Sequence, residues 1–377
     1  MRIGYDAKRI FHNWRGLGNY SRDLVKGQKD YFPENEYLLF TPQFKSDRAI
    51  EFSRSFGEGN IFQPSGFFSK QFPSLWRRNL TSELVEKKVE LFHGLSHEIP
   101  YGLKKNGIKS IVTIHDLIFM RYPEYFPWID RRVYLSKVKH AVNESDCIIA
   151  ICEQTKEDLI NFLNVNPEKI QVCYQSCHEQ FQAGPSNDEA VKLVRNKYKL
   201  EQDYFLFVGA LEERKNILNL IEGFSYFGPS RELVIVGRDC EYRKKIELKI
   251  KQTNMDNSVR ILTDVPSEDL PALYTGADIF CFPSFFEGFG IPLIEAMFCG
   301  TPVITSEGSC FPEVAGKGAL YINPLSSFQI AKSMYDITTK PELREQIIME
   351  GAKQVEKFSR ESTNQRLNEV YQQVMNS

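Results

Sequence analysis

Short apolar runs rich in Ile, Val and Phe recur along the chain, separated by longer stretches whose apolar positions follow a helical period. Runs at residues 3–5, 37–40, 91–93, 111–114, 147–151, 205–208, 233–236 and 277–283 each read as a strand. Continuous apolar runs of this length fit strands buried on both faces, and their alternation with helices predicts parallel sheets with crossover helices. The polar stretch 182–189, Gln-Ala-Gly-Pro-Ser-Asn-Asp-Glu, carries turn formers close to the midpoint and predicts the linker between two domains. The expected fold is therefore α/β: two doubly wound, Rossmann-like domains, residues 1–183 and 184–357, facing a central cleft. Open parallel sheets bind ligands beyond the carboxyl ends of their strands, which directs attention to the loops that follow them.

The loop after the run at 277–283 has the richest chemistry. It reads Pro283-Ser284-Phe285-Phe286-Glu287-Gly288-Phe289-Gly290-Ile291-Pro292-Leu293-Ile294-Glu295-Ala296-Met297. Pro292 suits the first position of a helix, which places Gly288 and Gly290 in the preceding turn and Glu295 in the first helical turn. Unpaired N–H groups and the positive dipole end of a helix favour a phosphate, and glycines let it approach the backbone. A helix rises about 1.5 Å per residue, so Glu287 and Glu295 stand roughly 10 Å or more apart, about the length of a ribose-diphosphate-sugar unit. Carboxylates accept from sugar hydroxyls and repel phosphates, which suits one glutamate at each end of a nucleotide sugar. Taken alone, the same spacing also fits two solvated helix-cap glutamates.

The stretch 282–324, including Gly300-Thr301-Pro302-Val303-Ile304 and Phe311-Pro312-Glu313-Val314-Ala315-Gly316, closely resembles the signature region of the retaining glycosyltransferases of family 4. That resemblance implies the GT-B architecture, an acceptor-side N-terminal domain, a C-terminal domain that binds the nucleotide sugar, and a final helix, residues 358–377, crossing back to the first domain. It assigns Glu287 to the donor sugar, with the Phe289-Gly290 backbone alongside, and Glu295 to the ribose hydroxyls. In Gly209-Ala210-Leu211-Glu212-Glu213-Arg214-Lys215-Asn216, which follows the strand at 205–208, Lys215 matches the family's phosphate-binding lysine by its spacing from Gly209. Ala210 replaces an arginine common in the family, and Arg214 is the candidate to supply that charge. His115, in Thr113-Ile114-His115-Asp116-Leu117, matches a histidine that projects toward the donor sugar in similar enzymes. Without the resemblance it reads as a structural hydrogen-bonder, with Asp116 as its support or a helix cap. His93 is a further candidate on the acceptor side.

Gly16-Leu17-Gly18-Asn19-Tyr20-Ser21 has the outline of a dinucleotide fingerprint and raises the rival reading of an NAD-dependent oxidoreductase. Three features argue against it: nine residues separate the glycines from the strand ending at Asp6, Ser21 stands where the third glycine belongs, and no acidic residue closes the second strand. The family resemblance instead makes Gly16 and Gly18 a glycine loop near the donor diphosphate. No Asp-x-Asp or metal-ligand spacing occurs, so no cofactor or metal is expected, and Lys215, Arg214 and the helix N-terminus must neutralise the phosphates. The expected reaction is retaining transfer of a hexose from a nucleotide diphosphate donor to a hydroxyl of a glycan or lipid-linked acceptor. The Gly-Leu-Gly-Asn-Tyr, His-Asp-Leu and Arg-Lys-Asn versions of the motifs look most like mannosyltransferases of polysaccharide biosynthesis, favouring GDP-mannose over a UDP-sugar. A degenerate transferase kept as a nucleotide-sugar-binding scaffold is the non-enzymatic alternative.

Composition narrows the setting. The 377 residues, 42% of them apolar, are enough for two cores. No run of about eighteen apolar residues occurs and the chain opens directly into a strand, so a cytoplasmic protein is expected. The eight cysteines form no Cys-x-x-Cys pair and read as reduced, mostly buried thiols. Net charge is −2, and no basic stripe or recognition motif speaks for nucleic acid. Residues 67–78, Phe-Phe-Ser-Lys-Gln-Phe-Pro-Ser-Leu-Trp-Arg-Arg, mix aromatics with cations. They read as an ordinary exposed loop-helix or as a peripheral contact with an anionic membrane at its inner face.

Overall fold

The computed structural model describes every residue except residue 15, at the end of the spacer before the glycines, and at residue 58 the backbone alone. The chain divides into two compact units: Met1–Ser176 with Arg360–Ser377, and Cys177–Ser359.

The first unit holds a seven-stranded parallel sheet. Its strands are β1 (Arg2–Asp6), β2 (Glu36–Phe40), β3 (Ile61–Phe62), β4 (Leu91–Gly94), β5 (Lys109–Ile114), β6 (Cys147–Ala150) and β7 (Ile170–Val172). They lie in the order β3-β2-β1-β4-β5-β6-β7. Successive residues of the central strands serve opposite faces: Leu91, Ile111 and Ile149 join one apolar cluster, while Phe92, Val112 and Ile148 join the other. A strand buried on both sides has to be apolar at consecutive positions, which is why these elements stand out as unbroken runs.

The second unit holds a six-stranded parallel sheet made of β8 (Tyr204–Val208), β9 (Glu232–Val236), β10 (Val259–Leu262), β11 (Ile279–Phe282), β12 (Val303–Ser306) and β13 (Ala319–Ile322). The order is β10-β9-β8-β11-β12-β13. Strands β3, β7, β10, β12 and β13 have no counterpart among the predicted runs. Four of them are half-buried edge strands, with Gln171 and Arg260 interrupting β7 and β10, whereas inner β12, Val-Ile-Thr-Ser, is buried throughout but only half apolar.

The boundary between the units falls at Ser176 and Cys177, earlier than the stretch 182–189. Those turn formers lie inside the second unit, where they join helix Glu179–Gln182 to helix Asp188–Tyr198 and supply its N-cap, Asn187, whose side chain accepts from the Ala190 N–H at 2.9 Å. Turn chemistry marks a helix junction as readily as a domain junction. The final helix, Arg360–Met375, belongs to the first unit. Its Leu367, Val370, Tyr371 and Val374 enter the cluster containing Ile3, Tyr5 and Leu91. Each such side chain is worth about 1.5–3 kcal/mol relative to exposure, so packing holds the helix there. All eight cysteines are free thiols and only Cys240 is exposed. Among the described residues no helix is long and apolar enough to cross a membrane.

Candidate active site

In the second sheet the chain winds outward in both directions from the neighbours β8 and β11. The loops that leave their carboxyl ends therefore diverge, which is where open α/β sheets bind ligands. The β8 loop runs from Gly209 through a 3-10 turn, Glu213–Lys215, to Asn216, whose left-handed backbone (φ 59°) redirects the chain into helix Ile217–Phe227. Asn216 Nδ2 donates to the Pro283 carbonyl at 3.1 Å and the Pro324 carbonyl at 2.7 Å, and the Phe285 N–H donates to the Arg214 carbonyl at 2.9 Å. The bonds to Pro283 and from Phe285 stitch the β8 and β11 loops together, and the bond to Pro324 ties them to the segment after β13.

The stitching brings two cations onto one carboxylate. Lys215 Nζ lies 2.6 Å from Glu287 Oε1 and Arg214 Nη1 lies 2.8 Å from Oε2. Arg214 also binds Glu212 at 2.5 Å and donates to the Phe286 carbonyl. Lys215 and Glu287 are each only 8% exposed, and the Lys215 ammonium stands 5.0 Å over the Phe282 ring. Burial alone would push the Glu287 carboxyl up, but Lys215 and Arg214 outweigh it and hold the group below the usual carboxylate range. Glu287 is thus held as a carboxylate between the two basic side chains.

The backbone around Glu287 is pinned from β12. Ser309 Oγ accepts from the Glu287 N–H at 3.3 Å and donates to its carbonyl at 3.1 Å, and Cys310 Sγ donates to the Phe289 carbonyl at 2.9 Å. Nothing in the local sequence pattern singles out Ser309 and Cys310, because their partners lie about twenty residues away. Gly290 takes φ 98°, a left-handed value that glycine reaches without strain, and starts helix Ile291–Phe298. Pro292 is consequently its second residue, one later than expected. Glu295 is its fifth residue and lies beyond the first turn, where the Tyr274 hydroxyl donates to Oε2 at 2.9 Å. Phe289 is buried edge-on against Phe358, ring centroids 5.6 Å apart.

The remaining candidates lie in the first unit, and the structure gives them different surroundings from those expected. His115, at the end of β5, is buried: Nε2 donates to the Leu95 carbonyl at 2.9 Å, which fixes the tautomer, and Nδ1 accepts from Gln175 Nε2 at 2.9 Å. Both ring nitrogens are committed within this unit, so His115 does not present a free nitrogen to a sugar. Burial, reinforced by neighbouring His97, lowers its pKa to about 3 and keeps it neutral. His93 is a core residue, not an acceptor-side group. Its Nδ1 meets the Tyr371 hydroxyl at 2.7 Å and its Nε2 meets Thr113 Oγ1 at 2.8 Å. Asp116 Oδ1 accepts from the Ile118 N–H at 3.1 Å, one residue before Leu117, the N-cap of helix Ile118–Arg121, so it is neither the cap nor a hydrogen-bond partner of the His115 ring.

Gly16 and Gly18 do not form an open loop. They begin helix Gly16–Tyr31, and a Cβ on Gly18 would stand 1.6 Å from the Asn13 carbonyl oxygen, so close packing against the preceding segment demands glycine there. Gly16 is exposed, with nothing within 4 Å of such a Cβ. Two groups were not marked by the sequence as polar centres of the fold, and one of them, Arg77, belongs to the stretch 67–78 expected to be exposed. His97 has a left-handed backbone (φ 62°), and its Nε2 accepts from the His115 N–H at 2.9 Å, which leaves the proton on Nδ1. Arg77, buried, binds Asp6 at the end of β1 and Glu98 beyond β4, at 2.5 and 2.9 Å, and Lys137 also reaches Glu98 at 2.9 Å.

Residues 14–176 match the family described as Glycosyltransferase Family 4, and residues 191–354 match Glycosyl transferases group 1. The chain belongs to the family 4 glycosyltransferases. It is 28% identical to O-antigen chain mannosyltransferase B of Escherichia coli over 98% of this chain and 99% of that one. It is 32% identical to O-antigen chain mannosyltransferase RfbU of Salmonella typhimurium over 60% of this chain and 59% of that one. Among solved structures, Anabaena HepE in complex with UDP and glucose superposes with a TM-score of 0.77 at 17% identity, covering 99% of this chain and 100% of that one. The fold is GT-B and the protein is a glycosyltransferase.

Proposed function

We propose that this glycosyltransferase moves a mannosyl residue from GDP-mannose to a hydroxyl of a growing glycan carried on a lipid, with retention of configuration. The observation that carries the reading is the Lys215–Glu287–Arg214 triad at the carboxyl ends of β8 and β11. Two cations on one carboxylate provide a diphosphate site whose charges are already gathered, and a diphosphate that takes both cations releases Glu287 to accept from sugar hydroxyls. As the bond between the anomeric carbon and the phosphate oxygen breaks, charge grows on that oxygen. Lys215 and Arg214 then stabilise the charge where it develops. The acceptor oxygen bonds to the anomeric carbon on the same face, and its proton passes to the departing phosphate oxygen. Glu287 stabilises the oxocarbenium-like centre, and Glu295 and the backbone at Phe289-Gly290 hold the donor.

In this reading His115 is a positioning residue: its backbone N–H and neutral ring orient His97. The protein's own cations neutralise the diphosphate, so transfer is expected to persist in EDTA. The mannosyl donor is supported by the relatives, both O-antigen mannosyltransferases by name. A UDP-sugar is the competing donor, since the HepE structure holds UDP and glucose. The enzyme works at the cytoplasmic side of a membrane, where a lipid-carried acceptor is presented.

The deciding experiment is thermal stabilisation by GDP, UDP, ADP and NAD, followed by transfer from the matching sugar nucleotide with the product's anomeric configuration read by NMR. A ligand at about 100 times its dissociation constant adds roughly 2.7 kcal/mol. Stabilisation by UDP alone would replace the donor, an inverted product would replace the mechanism, and binding without transfer to any acceptor would leave a scaffold.

A further inference from the structure

We propose that the first unit docks on an anionic phospholipid bilayer through two neighbouring aromatic helical segments. The proposal rests on the reading of a lipid-carried acceptor and assigns the surface that meets the lipid. One segment is helix Phe67–Gln71 leading into helix Pro73–Arg78, and the other is the first half of helix Trp128–Glu144.

Large apolar side chains normally reach a protein surface singly. Here Phe67 and Phe68 are 78% and 77% exposed, Leu75 56%, Trp128 59% and Ile129 57%. They are not the loose side of a mobile segment. Trp76, between them in sequence, is buried and donates Nε1 to Glu83 at 2.6 Å, and Arg77 is clamped to Asp6 and Glu98. The inward residues anchor the first segment while its aromatics face out. The same short loop, residues 98–101, also holds the second helix. Lys137 shares Glu98 with Arg77, Arg78 lies 4.8 Å over the Tyr101 ring, and the His140 ring sits 3.9 Å from that ring.

Charge selects the occupant. No Asp or Glu occurs from residue 59 to 82, and Lys70 and Arg78 are exposed. Over residues 128–143 a single Asp130 stands against Arg131, Arg132, Lys137 and Lys139. Aromatics interleaved with cations match the interface of an anionic leaflet, with rings at headgroup depth and cations among the phosphates. A second copy of the chain would set these cations against their own kind. Docking here also carries function inward, because Arg77 ties the surface to the ends of β1 and β4, the point in the first sheet where the strand order reverses.

The test is flotation of the full chain with phosphatidylcholine vesicles, with and without phosphatidylglycerol, compared among wild type, Phe67→Ser/Phe68→Ser, Trp128→Ser/Ile129→Ser and Lys70→Gln/Arg132→Gln. Wild type is expected to bind only the phosphatidylglycerol vesicles and to detach in high salt. Each neutralised cation weakens binding about fivefold, and each aromatic or aliphatic pair about tenfold or more. GDP or UDP stabilisation stays at the wild-type value in all three variants, so a failure of docking is told apart from a failure of the transferase reading. Equal binding to both vesicle types, binding unchanged in the variants, or a dimer in sedimentation that the Phe67→Ser/Phe68→Ser change dissociates would each overturn the proposal.

Discussion

Glu287→Gln removes one negative charge and almost no volume from the point where Lys215 and Arg214 converge. Both Lys215 and Glu287 are 8% exposed, with contacts of 2.6 and 2.8 Å between the carboxylate and its two cations. Deleting one member of a buried pair costs about 3–5 kcal/mol, chiefly from the charge left without a partner. Arg214 retains Glu212, so the lower end applies, about 3 kcal/mol. For a unit the size of Cys177–Ser359 that lowers Tm by about 6–12 °C. Nucleotide binding moves the other way. With the competing carboxylate gone, a diphosphate meets Lys215 without its counter-charge and Arg214 held only by Glu212, so GDP or UDP binds the Gln variant more tightly than wild type and restores most of the lost Tm. Turnover falls by about 10²–10³, because the support for the sugar's developing positive charge is lost. Differential scanning fluorimetry with and without nucleotide, calorimetric titration and a transfer assay read the three quantities separately. Weaker nucleotide binding by the variant, or an unchanged Tm, would refute the idea that this triad gathers the diphosphate's cations.

Gly18→Ala drives a Cβ into the Asn13 carbonyl and is expected to cost about 1–3 kcal/mol or more, whereas Gly16→Ala, which meets nothing, leaves stability unchanged or slightly raised; urea midpoints of the two variants check the contrast. Tyr371→Phe leaves buried His93 Nδ1 without its partner and removes the 3.1 Å contact with the Tyr5 hydroxyl, a loss of about 1–3 kcal/mol, and an unchanged urea midpoint would contradict it. Buried His93 and His115 have pKa values lowered by burial to about 3, against an ordinary 6.5. The unfolded chain therefore takes up protons first as the pH falls. Each imidazole withdraws about 1.4 kcal/mol of stability per pH unit below 6.5 until its folded value is reached. Together they remove roughly 4 kcal/mol by pH 5, and a urea midpoint that stays level from neutral pH down to that point would show that one or both rings protonate in place.

Features that depend on neighbours along the chain could be read before folding. Central strands buried on both faces must be apolar at consecutive positions, so β1, β2, β4, β5, β6, β8, β9 and β11 were all legible, and with them the doubly wound class. Gly290 and Pro292 marked a helix start because backbone conformation is a local property, although the exact first residue lay one position away. Glu287, Lys215 and Arg214 were legible as candidates through their motifs. That they share one ion cluster emerged from folding, because residues 214 and 287 meet only when β8 and β11 pair. Folding also turned His93 into a core group, gave both nitrogens of His115 internal partners, and closed Gly18 against Asn13. A histidine or glycine looks the same in the sequence whether it faces a ligand or a packed neighbour, and burial, set by contacts distant in the chain, separates the two. For the same reason the turn formers at 182–189 could not tell a helix junction from a domain boundary. His97, Ser309 and Arg77 gave no local sign of their roles, since each matters through partners that only the folded sheets bring within reach.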